Sequence, residues 1–124
     1  MDCRMFHVED IDSLRDNRLI IYGAGKYGSL LYSFLEAKDL AENVECFAVT
    51  NNTDGSDSFC GKTVECIDGI VDRLKDCMVI LALGEKASAE VFKSLQSRTV
   101  KDICRVDGQA VEKIREELIA SYKK

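Results

Sequence analysis

No segment of this sequence is long and apolar enough to cross a membrane. The chain has 124 residues, and none of its apolar runs approaches the roughly 20 residues that a membrane-spanning helix needs. The amino terminus, Met1 to His7, also lacks the basic and then continuously apolar pattern of a signal peptide. These absences exclude membrane insertion and argue against secretion, so we expect a cytoplasmic protein.

Positive charge is scarce as well. The chain contains 17 Lys and Arg residues against 22 Asp and Glu residues, for a net charge of −5 at pH 7. A protein that binds duplex nucleic acid needs a clustered positive field to neutralise the phosphates. We therefore expect no nucleic-acid partner.

Paired cysteine motifs are missing, although the sequence contains six cysteines. No two of them have the Cys-x-x-Cys spacing that is typical of zinc sites and redox pairs. Most of them lie among hydrophobic residues, which favours reduced thiols in a core, and a disulfide set or a zinc site is the alternative. The cysteines are Cys3, Cys46, Cys60, Cys66, Cys77 and Cys104.

Catalytic groups are equally scarce. His7 is the only histidine and lies close to the amino terminus, so a serine or cysteine nucleophile has no credible histidine base. The sequence contains no His-Glu-x-x-His zinc motif and no P-loop lysine. We therefore name no catalytic residue and no metal ligand, and we expect the chain to be non-catalytic on its own.

Strand-like and helix-like segments alternate along the whole chain. This alternation predicts an α/β domain over residues 1–124, with a mainly parallel sheet and helices on both of its faces. We expect a helical extension at residues 1–17 and a terminal helix at 109–124. The five predicted strands span residues 19–22, 44–49, 62–66, 77–83 and 102–106, in sheet order 3-2-1-4-5, and the predicted helices between them span 26–38, 67–75 and 86–97.

A glycine-rich turn joins the first predicted strand to the first long helix. Its sequence is Gly23-Ala24-Gly25-Lys26-Tyr27-Gly28. In a strand-to-helix setting Gly23 makes the tight turn, Gly25 lets a pyrophosphate approach the backbone, and Gly28 lets helix and strand pack closely. The free N–H groups and the dipole of the helix then favour phosphate binding. The turn predicts a nucleotide-binding site in a Rossmann-like three-layer αβα fold, and a tight turn without a ligand is the alternative.

The segment after the second predicted strand is expected beside this turn, because the carboxyl ends of parallel strands share one edge of the sheet. It contains Thr50, Asn51 and Asn52. Dinucleotide sites have an acidic residue there that holds the ribose hydroxyls. The nearest carboxylates, Asp54 and Asp57, come later in a stretch rich in turn-forming residues. Asparagine can still hydrogen-bond a ribose, so these three residues are predicted to contact the ligand.

The segment after the fourth predicted strand should face the turn across the crevice where the strand order reverses. It contains Leu83, Gly84 and Glu85. Glu85 would either accept a hydrogen bond from a sugar hydroxyl or only supply a favourable negative charge at a helix start. Within the turn, Lys26 is predicted to contact phosphate and Tyr27 a base, with core packing as the alternative for Tyr27.

The terminal helix presents one apolar stripe that contains Val111, Ile114 and Leu118. Such a stripe either packs on its own domain or docks on a partner. We expect core packing, and a purely structural interaction module remains the alternative function that the stripe would serve.

The stretch from Leu19 to about Asp107 resembles the amino-terminal Rossmann domain of bacterial sugar acyltransferases that acetylate nucleotide-linked amino sugars. It is also similar to domains found beside glycosyltransferases, methyltransferases and nucleotide-sugar dehydratases in surface-polysaccharide synthesis. The matching segments are Ile20–Gly28, Phe47–Asn52, Cys60–Val64 and Val79–Gly84. Each motif is generic to Rossmann-like domains, so the resemblance identifies the fold better than the ligand.

This resemblance implies a domain that binds a nucleotide or a nucleotide sugar and acts with a glycan-modifying enzyme, as a fused domain or a separate subunit. Asn51 and Asn52 depart from the acidic residues of the acyltransferases, and the hexapeptide-repeat catalytic domain is absent, so acetyl transfer by this chain is not supported. A similar arrangement in redox-sensing repressors and in CoA-binding domains keeps NAD(P), in an oxidoreductase or dehydratase domain, and CoA as alternatives to a UDP-sugar. A homo-oligomer is compatible with all of these functions.

Overall fold

One mainly parallel β-sheet with helices on both faces forms the framework of the protein. The computed structural model describes residues 4–6, 11–50 and 58–122. Its strands are β1 (Arg4–Met5), β2 (Arg18–Tyr22), β3 (Val44–Val49), β4 (Ser58–Phe59), β5 (Lys62–Cys66), β6 (Cys77–Leu81) and β7 (Asp102–Arg105). The spatial order is β1-β7-β6-β2-β3-β5-β4, and only the pairing of β4 with β5 is antiparallel among these described strands. The predicted α/β class and the mainly parallel sheet are confirmed.

The predicted order 3-2-1-4-5 holds for the five strands that the sequence indicated, but the predicted count of five was wrong. The sheet has a further two-residue strand at each edge, β1 beside β7 and β4 beside β5. Two residues are too few to show an alternating pattern in a sequence. The turn between β4 and β5 consists of Cys60 and Gly61, both with positive φ, 53° and 82°, which is the backbone geometry of a tight hairpin.

The sheet is covered by five helices within the described ranges. They are α1 (Ile11–Arg15), α2 (Lys26–Ala37), α3 (Val71–Leu74), α4 (Glu85–Leu95) and α5 (Gly108–Tyr122), with 3-10 turns at Ala41–Asn43 and Ile67–Gly69. The helix predicted at 67–75 is therefore split into a 3-10 turn and the single turn of α3. None of these five helices is long and apolar enough to cross a membrane.

The central strand β2 is buried on both faces, as its continuous apolar run predicts. Leu19 and Ile21 belong to the core cluster beneath α2 and α5, whereas Ile20 and Tyr22 belong to the cluster beneath α3 and α4. All four side chains are less than 5% exposed. The two clusters therefore fix β2 in the middle of the molecule, and its carboxyl end fixes the position of the glycine-rich turn.

The cysteines divide between the core and the surface. Cys46, Cys77 and Cys104 are buried free thiols, whereas Cys60 is exposed in the hairpin turn and Cys66 is partly buried. Burial raises the pKa of Cys46 to about 12 and that of Cys77 to about 11, so both stay protonated at neutral pH. The interpretation of the cysteines as core thiols holds for the three buried ones and is wrong for Cys60; Cys3 lies outside the described residues.

The stripe on α5 packs against the rest of the domain. Val111 and Ile114 belong to the core cluster beneath α2, and Leu118 packs against that cluster. Ile119, one position along the helix, is 55% exposed. Core packing, the first of the two alternatives for this stripe, is what the structure shows.

These two isoleucines, Ile114 and Ile119, give a matched test of the packing. We expect Ile114→Ala to lower the free energy of unfolding by about 2–4 kcal/mol, because the residue is fully buried. Ile119→Ala should change it by less than about 0.5 kcal/mol. Urea denaturation of both variants measures the difference, and equal losses would contradict the packing of α5 on the core.

Candidate functional site

The glycine-rich turn begins with a position that only glycine can occupy. Gly23 has φ +122°, and a Cβ built there would lie 2.7 Å from the carbonyl oxygen of Ala82 and 2.8 Å from Cδ2 of Leu83. Its N–H donates to the carbonyl of Ala48 at 2.8 Å, which continues the pairing of β2 with β3. The chain therefore turns sharply at the end of β2 while it stays in contact with both neighbouring strands.

Gly28 holds α2 close to that turn. A Cβ on Gly28 would overlap the carbonyl oxygen of Gly23, and Phe47 of β3 lies 3.5 Å from the same point. Gly28 itself is buried. Its role is the close packing of helix on strand that the glycine pattern predicts.

Gly25 differs from Gly23 and Gly28, because a Cβ placed on it meets no atom within 4 Å. It is the N-cap of α2, it is exposed, and it has no side chain with which to cap the helix. The N–H of Ser29 makes the first helical hydrogen bond, to the Gly25 carbonyl at 2.9 Å. The N–H groups before Ser29 have no acceptor within the helix, so they can bind an anion that approaches over Gly25.

A crevice of about 470 Å³ opens beside this turn, at the point where the chain crosses from one side of β2 to the other. Its volume is within the range of small-molecule sites. The walls come from the turn, from the end of β3, from the end of β6 and from the first half of α4. The lining residues are Tyr22, Gly23, Ala24, Gly25, Lys26, Tyr27, Val49, Thr50, Ala82, Leu83, Gly84, Ala87, Glu90 and Val91.

A second cleft of about 390 Å³ adjoins the crevice and shares Tyr27, Leu83 and Gly84 with it. It lies between the amino-terminal ends of α4 and α5. Asp107 caps α5 by accepting a hydrogen bond from the N–H of Ala110 at 2.8 Å. The start of α4 has Gly84 as its N-cap and no side-chain cap. The uncapped helices α2 and α4 therefore begin at the shared wall of the two clefts.

The residue after β3, Thr50, carries a hydroxyl group where dinucleotide sites have a carboxylate. The Tyr22 hydroxyl and the Thr50 hydroxyl are 2.6 Å apart and hydrogen-bonded. Burial raises the pKa of Tyr22, so this pair is neutral at physiological pH. The thiol of Cys66 donates to the Thr50 carbonyl at 3.1 Å and also holds this residue in place. Asn51 and Asn52 lie outside the described residues.

Most of the residues predicted for the site do come together. Gly23 to Tyr27, Thr50, Leu83 and Gly84 all line the crevice. Glu85 does not; it lies in the first turn of α4 and lines the second cleft. Its placement fits the alternative role, a negative charge at a helix start. Tyr27 is 38% exposed at the shared wall, so the alternative of core packing is wrong for this residue.

Helix α4 forms a wall of the crevice that was not predicted from the sequence. Ala87, Glu90 and Val91 line the crevice from this helix. Their spacing of three and four residues was the available signal, because residues so spaced share one face of a helix. Within the described part of the chain, no group of three or more His, Cys, Asp or Glu side chains could hold a metal ion.

Comparison with known proteins identifies solved structures of similar fold but no family to which the chain belongs. No protein-family model matches the sequence, and no curated protein matches it. One solved structure that resembles the chain is described as the crystal structure of RSP, a Rex-family repressor. It has 17% identity and a TM-score of 0.56, and the match covers 93% of this chain and 68% of that one.

A second solved structure is described as RSP in complex with beta-NADH. It has 15% identity and a TM-score of 0.55, and the match covers 87% of this chain. The matched part is 64% of the length of that RSP chain. The chain therefore has a Rossmann-like fold of the kind found in a structure that contains NADH. Neither comparison supports the resemblance to sugar acyltransferases.

Two glycines of the turn, Gly25 and Gly28, should respond differently to the same change. We expect Gly28→Ala to lower the free energy of unfolding by about 3 kcal/mol or more, because the added methyl overlaps the Gly23 carbonyl. Gly25→Ala should cost no more than about 1 kcal/mol, since its methyl points into open space. Urea denaturation compares the two variants, and a Gly28→Ala protein as stable as the parent chain would refute the close packing of α2.

Proposed function

We propose that this chain is a dinucleotide-binding domain whose ligand is NAD(H). The observation that carries the proposal is the open space over Gly25, at an uncapped helix start that lies at the switch point of a parallel sheet. Phosphates bind at such positions because unpaired N–H groups and the helix dipole both favour negative charge. The NADH in the complex with RSP, a protein of similar fold, supports this ligand class.

The pair of adjoining clefts also favours a dinucleotide. A pyrophosphate at the start of α2 would lie at the wall that both clefts share, formed by Tyr27, Leu83 and Gly84. One nucleoside would then occupy the crevice and the other the second cleft. A ligand with a single nucleoside would use only one of these spaces, so a dinucleotide buries more surface here.

Binding without catalysis is the second part of the proposal. NAD(H) supplies hydride chemistry when it is bound, whereas this chain's own residues bind and orient it. Glu85, Asp107 and Arg105 contribute the charges of the second cleft. Asp107 already caps α5, and Glu85 is exposed at the start of α4. We propose that the domain serves as the binding part of an assembly whose reaction or response depends on other groups.

The resemblance drawn from sequence keeps nucleotide sugars and CoA as competing ligands. Under that alternative the domain binds a UDP-sugar and works with a glycan-modifying enzyme in surface-polysaccharide synthesis. It rests on generic sequence motifs, and no comparison supports the link to glycans. A ligand panel separates these classes directly.

Calorimetric titration of the purified chain with NADH, NAD⁺, a UDP-sugar, CoA and ADP tests the proposal. We expect NADH or NAD⁺ to bind most tightly and to raise the melting temperature, since a ligand at 100 times its Kd stabilises a protein by about 2.7 kcal/mol. Gly25→Val should abolish this binding, because its side chain fills the space over the phosphate turn.

Gly69→Val is the matched control for Gly25→Val. Gly69 also has no atom within 4 Å of a built Cβ, and it lies in the 3-10 turn after β5, outside the lining of the crevice. This variant should bind dinucleotide like the parent chain. Tighter binding of a UDP-sugar or CoA than of NAD(H), or full NAD(H) affinity in Gly25→Val, would overturn the proposal.

A further inference from the structure

The crevice contains little charge. Among the described residues that line it, Lys26 is the only basic residue and Glu90 the only acidic one. Lys26 is the first residue of α2, next to the phosphate turn. Glu90 lies on α4, with Ala87 and Val91 beside it on the same wall. The one acidic residue of this lining therefore comes from α4 and not from the turn or the end of β3.

The position of Glu90 matters because Thr50, the first residue after β3, is not a carboxylate. Thr50 offers only a hydroxyl, and that hydroxyl is hydrogen-bonded to Tyr22. In dinucleotide sites of this fold the end of this strand lies beside the ribose of one nucleoside, where a carboxylate holds the 2′-hydroxyl or an arginine accepts a 2′-phosphate. Val49, Thr50 and Glu90 all line the same crevice, so Glu90 belongs to the wall of the space in which this ribose would lie.

We infer that Glu90 is a specificity-determining residue that selects dinucleotides with a free 2′-hydroxyl, and so NAD(H) over NADP(H). This inference rests on the proposed function. A carboxylate accepts a hydrogen bond from a hydroxyl and repels a phosphate. The crevice offers a 2′-phosphate no basic residue except Lys26 among the described residues, and Lys26 lies at the pyrophosphate end.

Titration of the whole chain with NADH and with NADPH measures this selectivity as a ratio of two dissociation constants. We expect NADH to bind at least about tenfold more tightly than NADPH, because a dianionic phosphate beside a carboxylate is repelled strongly even in a solvated site. Glu90→Gln should reduce the ratio several-fold, and Glu90→Lys should reduce it further or reverse it. High salt should reduce the preference for NADH over NADPH more in the parent chain than in Glu90→Gln, because ions screen the repulsion between the Glu90 carboxylate and the 2′-phosphate.

Two sets of control variants separate Glu90 from other negative charges. Glu116→Lys makes the same charge change on α5, and Glu116 is exposed and lines neither cleft, so this variant should keep the NADH/NADPH ratio of the parent chain. Asp54→Asn and Asp57→Asn neutralise the two acidic residues that come after β3 in the sequence. These variants should also keep the ratio.

The outcomes distinguish this inference from the proposed function. A parent chain that prefers NADH while Glu90→Gln and Glu90→Lys keep its ratio would overturn the role of Glu90. Loss of the preference in Asp54→Asn or Asp57→Asn instead would assign it to those residues. A parent chain that binds NADH and NADPH equally would also overturn the inference and leave the dinucleotide proposal standing. Binding of neither would refute the proposed function and the inference with it.

Discussion

The close contact between Gly28 and the carbonyl of Gly23 is the constraint on which the site depends. It brings the first turn of α2 against the end of β2, at a distance that no side chain on Gly28 would allow. Glycine in a helix costs roughly 0.5–1 kcal/mol relative to alanine, because it loses more conformational freedom on folding. Because glycine stands there, α2 can begin immediately after β2, in contact with Phe47 of β3.

The position of the crevice results from the topology. The chain builds β2, β3 and β5 in one direction across the sheet and then returns to place β6 and β7 on the other side of β2. The connections after β2 and β6 therefore leave the sheet on opposite faces, one into α2 and the other into α4. A gap remains between them, which is where ligands bind in open α/β sheets. The uncapped starts of both helices lie beside that gap.

The sequence was sufficient for the fold because the strongest signals are local. The apolar runs of β2 and β6 and the glycine turn each lie within a few consecutive residues. The strand order then follows from the alternation of strands and helices, because parallel strands are joined by right-handed crossovers. The edge strands β1 and β4 could not be predicted, because two residues are too few to show the alternation of apolar and polar residues that indicates a strand. The hydrogen bond between Tyr22 and Thr50 joins residues 28 positions apart. The place of Glu90 depends on how α4 is rotated on the sheet, and an exposed position on an amphipathic helix does not reveal which cleft it faces.

The difference in capping between the helices has a consequence for how the protein is handled. The Asp107 carboxylate accepts a hydrogen bond from the Ala110 N–H at the start of α5, whereas α2 and α4 have glycine N-caps and leave their first N–H groups to solvent or to a ligand. Small oxyanions favour such helix starts. Sulfate or phosphate in a buffer would therefore compete with the proposed dinucleotide at α2, and its apparent affinity would become weaker as the buffer anion concentration rises. A buffer free of sulfate, phosphate and sulfonate groups avoids this competition.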